Sequence, residues 1–155
     1  MGYLKDAAFA DEAEGHMRTY LVREERSSEL VAYFSLKAGL VSFNEVETDE
    51  EASFDTLPGI ELANFALNDE YIRKAPALKG VGKIIFDSFI QPIIEDVAKL
   101  VGVKFIYIFA LPFDGLIRRY EQYGFKRFEP DHEADVHRRL KLRYDSGCLF
   151  MYQTL

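Results

Sequence analysis

Residues 78–110 read LKGVGKIIFDSFIQPIIEDVAKLVGVKFIYIFA, and a change of period inside them decides the fold. Between residues 82 and 101, Phe86, Ile90, Ile93, Val97 and Val101 recur every three or four positions, while Lys83, Asp87, Gln91, Glu95 and Lys99 form the opposite stripe. This predicts a long helix over 82–100 with one face on a sheet. Pro92 brings no amide hydrogen, so it predicts a kink, but the stripe continues through it and no stop is expected. Residues 104–110, KFIYIFA, lose the helical period and become a short unbroken apolar run, the pattern of a buried strand. Residues 60–67 read as a strand as well, which makes the whole a strand, helix, strand unit.

Outward from this unit, residues 3–17 carry Leu4, Ala7, Ala8 and Met17 among many charges and predict a short helix ending near Gly15. Residues 19–24 and 29–37 are rich in β-branched and aromatic side chains and read as a hairpin across the polar 25–28. Residues 44–58 hold six acids (Glu45, Glu47, Asp49, Glu50, Glu51, Asp55) and no base, then close on Pro58-Gly59, which predicts an exposed acidic loop. Beyond Leu111-Pro112, Asp114 is placed to cap a helix to Tyr123, ended by Gly124, and residues 147–155 read as a final strand. No repeat, low-complexity tract or linker interrupts the chain, so residues 1–155 are expected to form a single domain.

Composition narrows the function classes. The chain has 155 residues, 48% of them apolar, enough for one packed core. Its formal charge of −7 repels a polyphosphate backbone unless bases are locally concentrated, which disfavours nucleic acid as a general partner. The single cysteine, Cys148, forms no internal disulfide and reads as a small buried residue, and a cytoplasmic protein is expected. No stretch of about eighteen apolar residues exists, so no membrane span is expected. His132 and His137, five apart, lack a third convincing ligand, and no metal is assigned.

Chemistry enters at Lys79-Gly80-Val81-Gly82-Lys83. Glycines let the backbone turn its amides toward a ligand, and a helix N-terminus adds partial positive charge, so the segment is suited to phosphate oxygens. Arg73, Lys74, Lys79 and Lys83 fall within eleven residues free of acids, the clearest local exception to the negative whole. The competing reading is that the two glycines only permit tight packing. Ala77 and Ile84 exclude a Walker loop, and Ile85 excludes a dinucleotide fingerprint.

A second signal, Tyr120-Glu121-Gln122-Tyr123-Gly124-Phe125, follows on the helix after KFIYIFA. The ordered set of helix, hairpin, acidic segment, strand 60–67, Gly80-Val81-Gly82 helix, KFIYIFA strand and YEQYGF resembles the GNAT family of acyl-CoA-dependent N-acyltransferases, over roughly residues 18–155. The resemblance implies an α/β (α+β) fold: a mixed, mostly antiparallel sheet with a splayed central parallel strand pair, flanked by helices. It implies acetyl-CoA as cosubstrate, with Lys79, Gly80, Val81, Gly82 and Lys83 on the pyrophosphate and Phe65, Ala66 and Leu67 beside the pantetheine and thioester. Two departures stand out. Ala77 replaces the Arg or Gln with which the family pattern begins, and the family's usual first strand and helix have no counterpart before residues 3–17, a gap that dimerisation could offset.

Amine attack on a thioester asks for a neutral nucleophile, a polarised carbonyl and a proton for the departing thiolate. Tyr120 matches the tyrosine the family commonly uses as general acid; otherwise Leu116, Tyr120 and Tyr123 are only a packing stripe. Glu61 matches a strand glutamate that some members use as general base, with a water relay as the alternative, or it alternates outward to solvent. The expectation is direct acetyl transfer from acetyl-CoA to a primary amine of a small molecule or protein. A catalytically inactive acyl-CoA-binding module and a toxin-like aminoacyl-tRNA acetyltransferase are the alternatives. The acidic residues between 44 and 58 either draw a cationic acceptor or are simply solvated.

Overall fold

The computed structural model describes residues 2–47, 52–76, 78–139 and 147–155. Its strands are β1 (Arg18–Arg23), β2 (Leu30–Glu47), β3 (Ala52–Leu67), β4 (Phe105–Ala110), β5 (Lys126–Arg127) and β6 (Leu149–Thr154). They form one sheet in the order β1-β2-β3-β4-β6-β5. The helices are α1 (Gly2–Asp6), α2 (Ala8–Ala13), α3 (Asp69–Lys74), α4 (Val81–Ile85), α5 (Gln91–Leu100), α6 (Asp114–Gln122) and α7 (Pro130–Arg139).

The chain divides into two compact units, Met1–Lys37 with Leu62–Ile94, and Ala38–Glu61 with Glu95–Leu155. In the first, β1 and β2 pair antiparallel from Arg18↔Leu36 to Arg23↔Leu30, and the partners Tyr20 and Phe34 stack with ring centroids 4.9 Å apart. Glu12 ties α2 to the strand by accepting the Thr19 N–H at 2.9 Å and Arg18 Nη1 at 2.7 Å. Asn68 ends β3 and starts α3: its Oδ1 accepts from Glu70 N–H at 3.1 Å while its Nδ2 donates to the Leu30 carbonyl at 2.8 Å.

The segment between α4 and α5, Phe86–Ile90, is a wide π-helical turn in which Gln91 N–H donates to the Phe86 carbonyl five residues back. Pro92 follows at once. Its missing N–H could never have bonded the Ser88 carbonyl, so the irregularity expected at the proline takes the form of a widened turn just before it. The extra residue also rotates the buried stripe, which is Gly82, Ile85, Phe86, Ile90 and Ile94, with Ile93 and Val97 only partly covered and Val101 57% exposed. The stripe drawn through Ile93, Val97 and Val101 is corrected to that extent.

In the second unit β4 pairs antiparallel with β6 from Phe105↔Thr154 to Ala110↔Leu149, and β5 pairs with β6 at Lys126↔Tyr152 and Arg127↔Met151. Alternation along β4 places Phe105, Tyr107 and Phe109 on one face. There Val41, Phe105, Tyr107, Val136 and Phe150 form a core, with Phe128 and Tyr152 packed against it. β3 and β4 run parallel, but the register lasts only from Gly59↔Phe105 to Glu61↔Tyr107, although β3 continues to Leu67 and β4 to Ala110.

Several expectations change. The acidic 44–58 is not a loop: β2 runs on to Glu47 and β3 begins at Ala52, so that strand starts well before Ile60, and only residues 48–51 lie outside the described chain. The helix expected over 3–17 is two short ones meeting at Ala7. Asp114 is not a cap but the first residue of α6, whose N-cap Phe113 offers no side-chain bond. His132 and His137 both lie on α7, His137 in its last turn. The elements α3, β5 and α7 were not anticipated.

Candidate active site

Gly80 sits at φ 71°, in the left-handed region that a side chain disfavours, and is the N-cap of α4 with no side-chain bond to the first amides. The first helical bond is Ile84 N–H to the Gly80 carbonyl at 3.1 Å. The N–H groups of Val81, Gly82 and Lys83 therefore have no acceptor within the helix. Three amides at a helix start are a donor set suited to an oxyanion such as a diphosphate. Ala77 lies outside the described residues.

The cationic surround is weaker than the sequence suggests. Lys74 Nζ lies 3.0 Å from Glu29 Oε1 and 3.1 Å from Glu70 Oε1, and these hydrogen bonds, Glu29 first, hold its pKa above the usual lysine range. Lys83 Nζ lies 2.7 Å from Asp87 Oδ2, and Arg73 Nε donates to the Asp69 carbonyl at 3.3 Å. Lys79 is exposed and makes no ion pair among the described residues. The donors left at this end of α4 are the backbone amides, beside the exposed Lys79. Phe65, Ala66 and Leu67 form the half-buried end of β3, in the same unit as the loop.

Glu61 and Tyr120 belong to the other unit. Glu61 is 4% exposed, so it does not alternate outward to solvent. The Tyr107 hydroxyl donates to its Oε2 at 3.3 Å. A carboxyl group this deeply covered needs such a partner. Tyr120 lies on α6, 5% exposed, with its ring edge-on to Tyr123 at 5.9 Å and to Phe125 at 5.6 Å. Burial, and next the neighbouring Tyr123, push its phenol well above the ordinary tyrosine range, so it is protonated throughout the neutral range. Tyr120 and Glu61 share no hydrogen bond among the described residues.

Tyr107 escaped the sequence reading, although a hydroxyl inside a buried apolar strand always needs a partner and the Tyr in KFIYIFA carried that signal. Among the described residues no group of three or more potential metal ligands occurs, and no helix is long and apolar enough to cross a membrane.

No protein-family model matches the chain, and no curated protein matches it in sequence. Solved structures do match it in fold. A bacterial toxin superposes with a TM-score of 0.70 at 14% identity, covering 98% of this chain and 75% of the other. The AtaTR complex bound with AcCoA gives 0.65 at 12%, covering 99% and 76%. AtaT complexed with acetyl-methionyl-tRNAfMet gives 0.63 at 12%, covering 96% and 78%. The chain has the fold of the GNAT acyltransferases, a mixed sheet with a parallel β3–β4 pair.

Proposed function

We propose that this chain is an N-acetyltransferase that moves the acetyl group of acetyl-CoA directly to a primary amine of a small molecule or protein, working as one domain over residues 1–155. The observation that carries the reading is the parallel ladder that stops at Glu61↔Tyr107 while both strands continue. The unbonded amides of Val81, Gly82 and Lys83 add to it, as does the similarity to AtaTR, which was solved with AcCoA. The segment Lys79, Gly80, Val81, Gly82 and Lys83 would hold the diphosphate, and the backbone of Phe65, Ala66 and Leu67 the pantetheine arm. When bound, the coenzyme supplies an activated thioester.

The amine nitrogen attacks the thioester carbon and the carbon–sulfur bond breaks. The proton lost by nitrogen goes to Glu61 or to a water, while Tyr120 gives its phenolic proton to the departing sulfur and is reprotonated from solvent. Burial keeps the Tyr120 phenol protonated, so the proton is in place when negative charge develops on the departing sulfur. Incubation with acetyl-CoA and a panel of amines should release free CoA; saturable acetyl-CoA binding with no release from any acceptor would favour a binding module instead.

A second reading is acetylation of an aminoacyl-tRNA, the substrate class suggested by the AtaT complex with acetyl-methionyl-tRNAfMet. The charge of −7 opposes it less than it first suggests, because six acids and no base lie between Glu45 and Asp55. Arg118, Arg119 and Lys126 are exposed and form no ion pair among the described residues. Under this reading tRNA binds with an affinity that falls steeply as salt rises, and absence of tRNA binding at low salt rejects it.

A further inference from the structure

Glu61 and Tyr107 face each other as the last register pair of the parallel β3–β4 ladder. The Tyr107 ring is fixed on three sides: stacked on Phe150 at 5.6 Å, edge-on to Phe109 at 6.0 Å and tilted against Phe105 at 5.7 Å. It is 2% exposed, and its hydroxyl lies over Gly39 of β2. A Cβ at residue 39 would stand 2.9 Å from Tyr107 Cζ and collide with the hydroxyl itself. Only a residue without a side chain lets the phenol lie there, and lying there it donates to Glu61 Oε2.

We propose that Tyr107 is a positioning residue for the Glu61 carboxylate, and that Gly39 is the slot that allows its hydroxyl to reach it. The inference rests on the reading of Glu61 as the proton acceptor in acetyl transfer. A buried carboxyl group has several rotamers open to it, and a hydroxyl fixed by packing selects one. Glu61 is held at the last register pair of the β3–β4 ladder, and the hydroxyl acts on the reaction only through it.

Two measurements on the intact chain test this. The first is a thermal-unfolding cycle of Gly39→Ala, Tyr107→Phe and the double variant, which needs no ligand. The drop in Tm caused by Gly39→Ala should shrink by about half or more in the Tyr107→Phe background, because the hydroxyl it strikes is gone. Additive losses would remove the slot and overturn the proposal whether or not the protein acetylates amines. The second is steady-state acetylation with acetyl-CoA and the amine panel. Tyr107→Phe should lower kcat about three- to tenfold with KM for acetyl-CoA unchanged, and should add nothing to the loss caused by Glu61→Gln. Unchanged kcat, or an equal further loss on top of Glu61→Gln, would leave Tyr107 a packing residue and reject the positioning role. A coupled unfolding cycle with no CoA released from any acceptor would reject the acetyl-transfer reading, and the positioning role with it.

Discussion

Glu133 Oε1 accepts the backbone N–H of Phe150 at 2.9 Å, although Glu133 lies on a helix and Phe150 on a strand. The reason is the brevity of β5. Its register with β6 ends at Arg127↔Met151, one residue short of Phe150, so a side chain takes the place of the missing strand residue. The other oxygen of Glu133 accepts from Arg127 Nη2 at 2.8 Å, which fixes the edge strand to α7. Glu133→Ala should lower stability by about 1–3 kcal/mol by leaving a buried donor unsatisfied, whereas Glu133→Gln should cost less than about 1 kcal/mol because it keeps an acceptor and loses only a half-exposed ion pair. Urea unfolding of the two variants separates these outcomes, and equal losses would contradict the account.

Tyr120→Phe removes the proposed proton donor while keeping the ring against Tyr123 and Phe125. Turnover should fall about 10²- to 10⁴-fold with little change in acetyl-CoA affinity. The same burial makes an alkaline prediction. The folded pKa lies above the unfolded one, so the folded state binds the proton more tightly and stability declines as pH rises past the ordinary tyrosine value of 10.0. In Tyr120→Phe that part of the alkaline decline disappears, which pH-dependent melts would reveal.

Gly80→Ala forces an L side chain into the left-handed region and should cost about 1–2 kcal/mol. No collision adds to this, since a Cβ there meets nothing within 4 Å. Gly80→Asn should recover most of the loss, because asparagine tolerates that conformation. A loss as large for Asn as for Ala, read by thermal melts, would point to some other constraint on the loop.

Glu12 is held below its ordinary value of 4.5 first by the Thr19 N–H and then by Arg18. Its contribution to stability is complete above that value and is lost as pH falls through the lower folded one. The difference in Tm between the native chain and Glu12→Gln should therefore be largest near neutrality and close as the solution is acidified below about pH 4. A constant difference across that window would show that Glu12 acts by packing alone.

The sequence carried local pattern well and long-range pairing poorly. The run KFIYIFA announces β4 by itself, and the glycines beside the amphipathic stripe announce the amides at the start of α4. Glu61 and Tyr107 lie 46 residues apart, and nothing local to either marks the other as its partner. Glu133 stands between Asp131 and Asp135, and nothing local marks it as the buried partner of the Phe150 N–H. The acids from Glu45 to Asp55 suggested a loop because such residues are poor strand formers, yet β2 and β3 extend into that stretch. The wide turn at Phe86–Ile90 moved the buried stripe because a periodicity argument assumes one pitch throughout.

Recognition of the coenzyme through its diphosphate is read by calorimetric titration of the intact chain with acetyl-CoA, beside desulfo-CoA and a coenzyme fragment lacking the diphosphate. Saturable one-to-one binding of acetyl-CoA, retained by desulfo-CoA and weakened at least tenfold without the diphosphate, is the predicted result. No binding of acetyl-CoA at millimolar concentration, or equal affinity with and without the diphosphate, would contradict it.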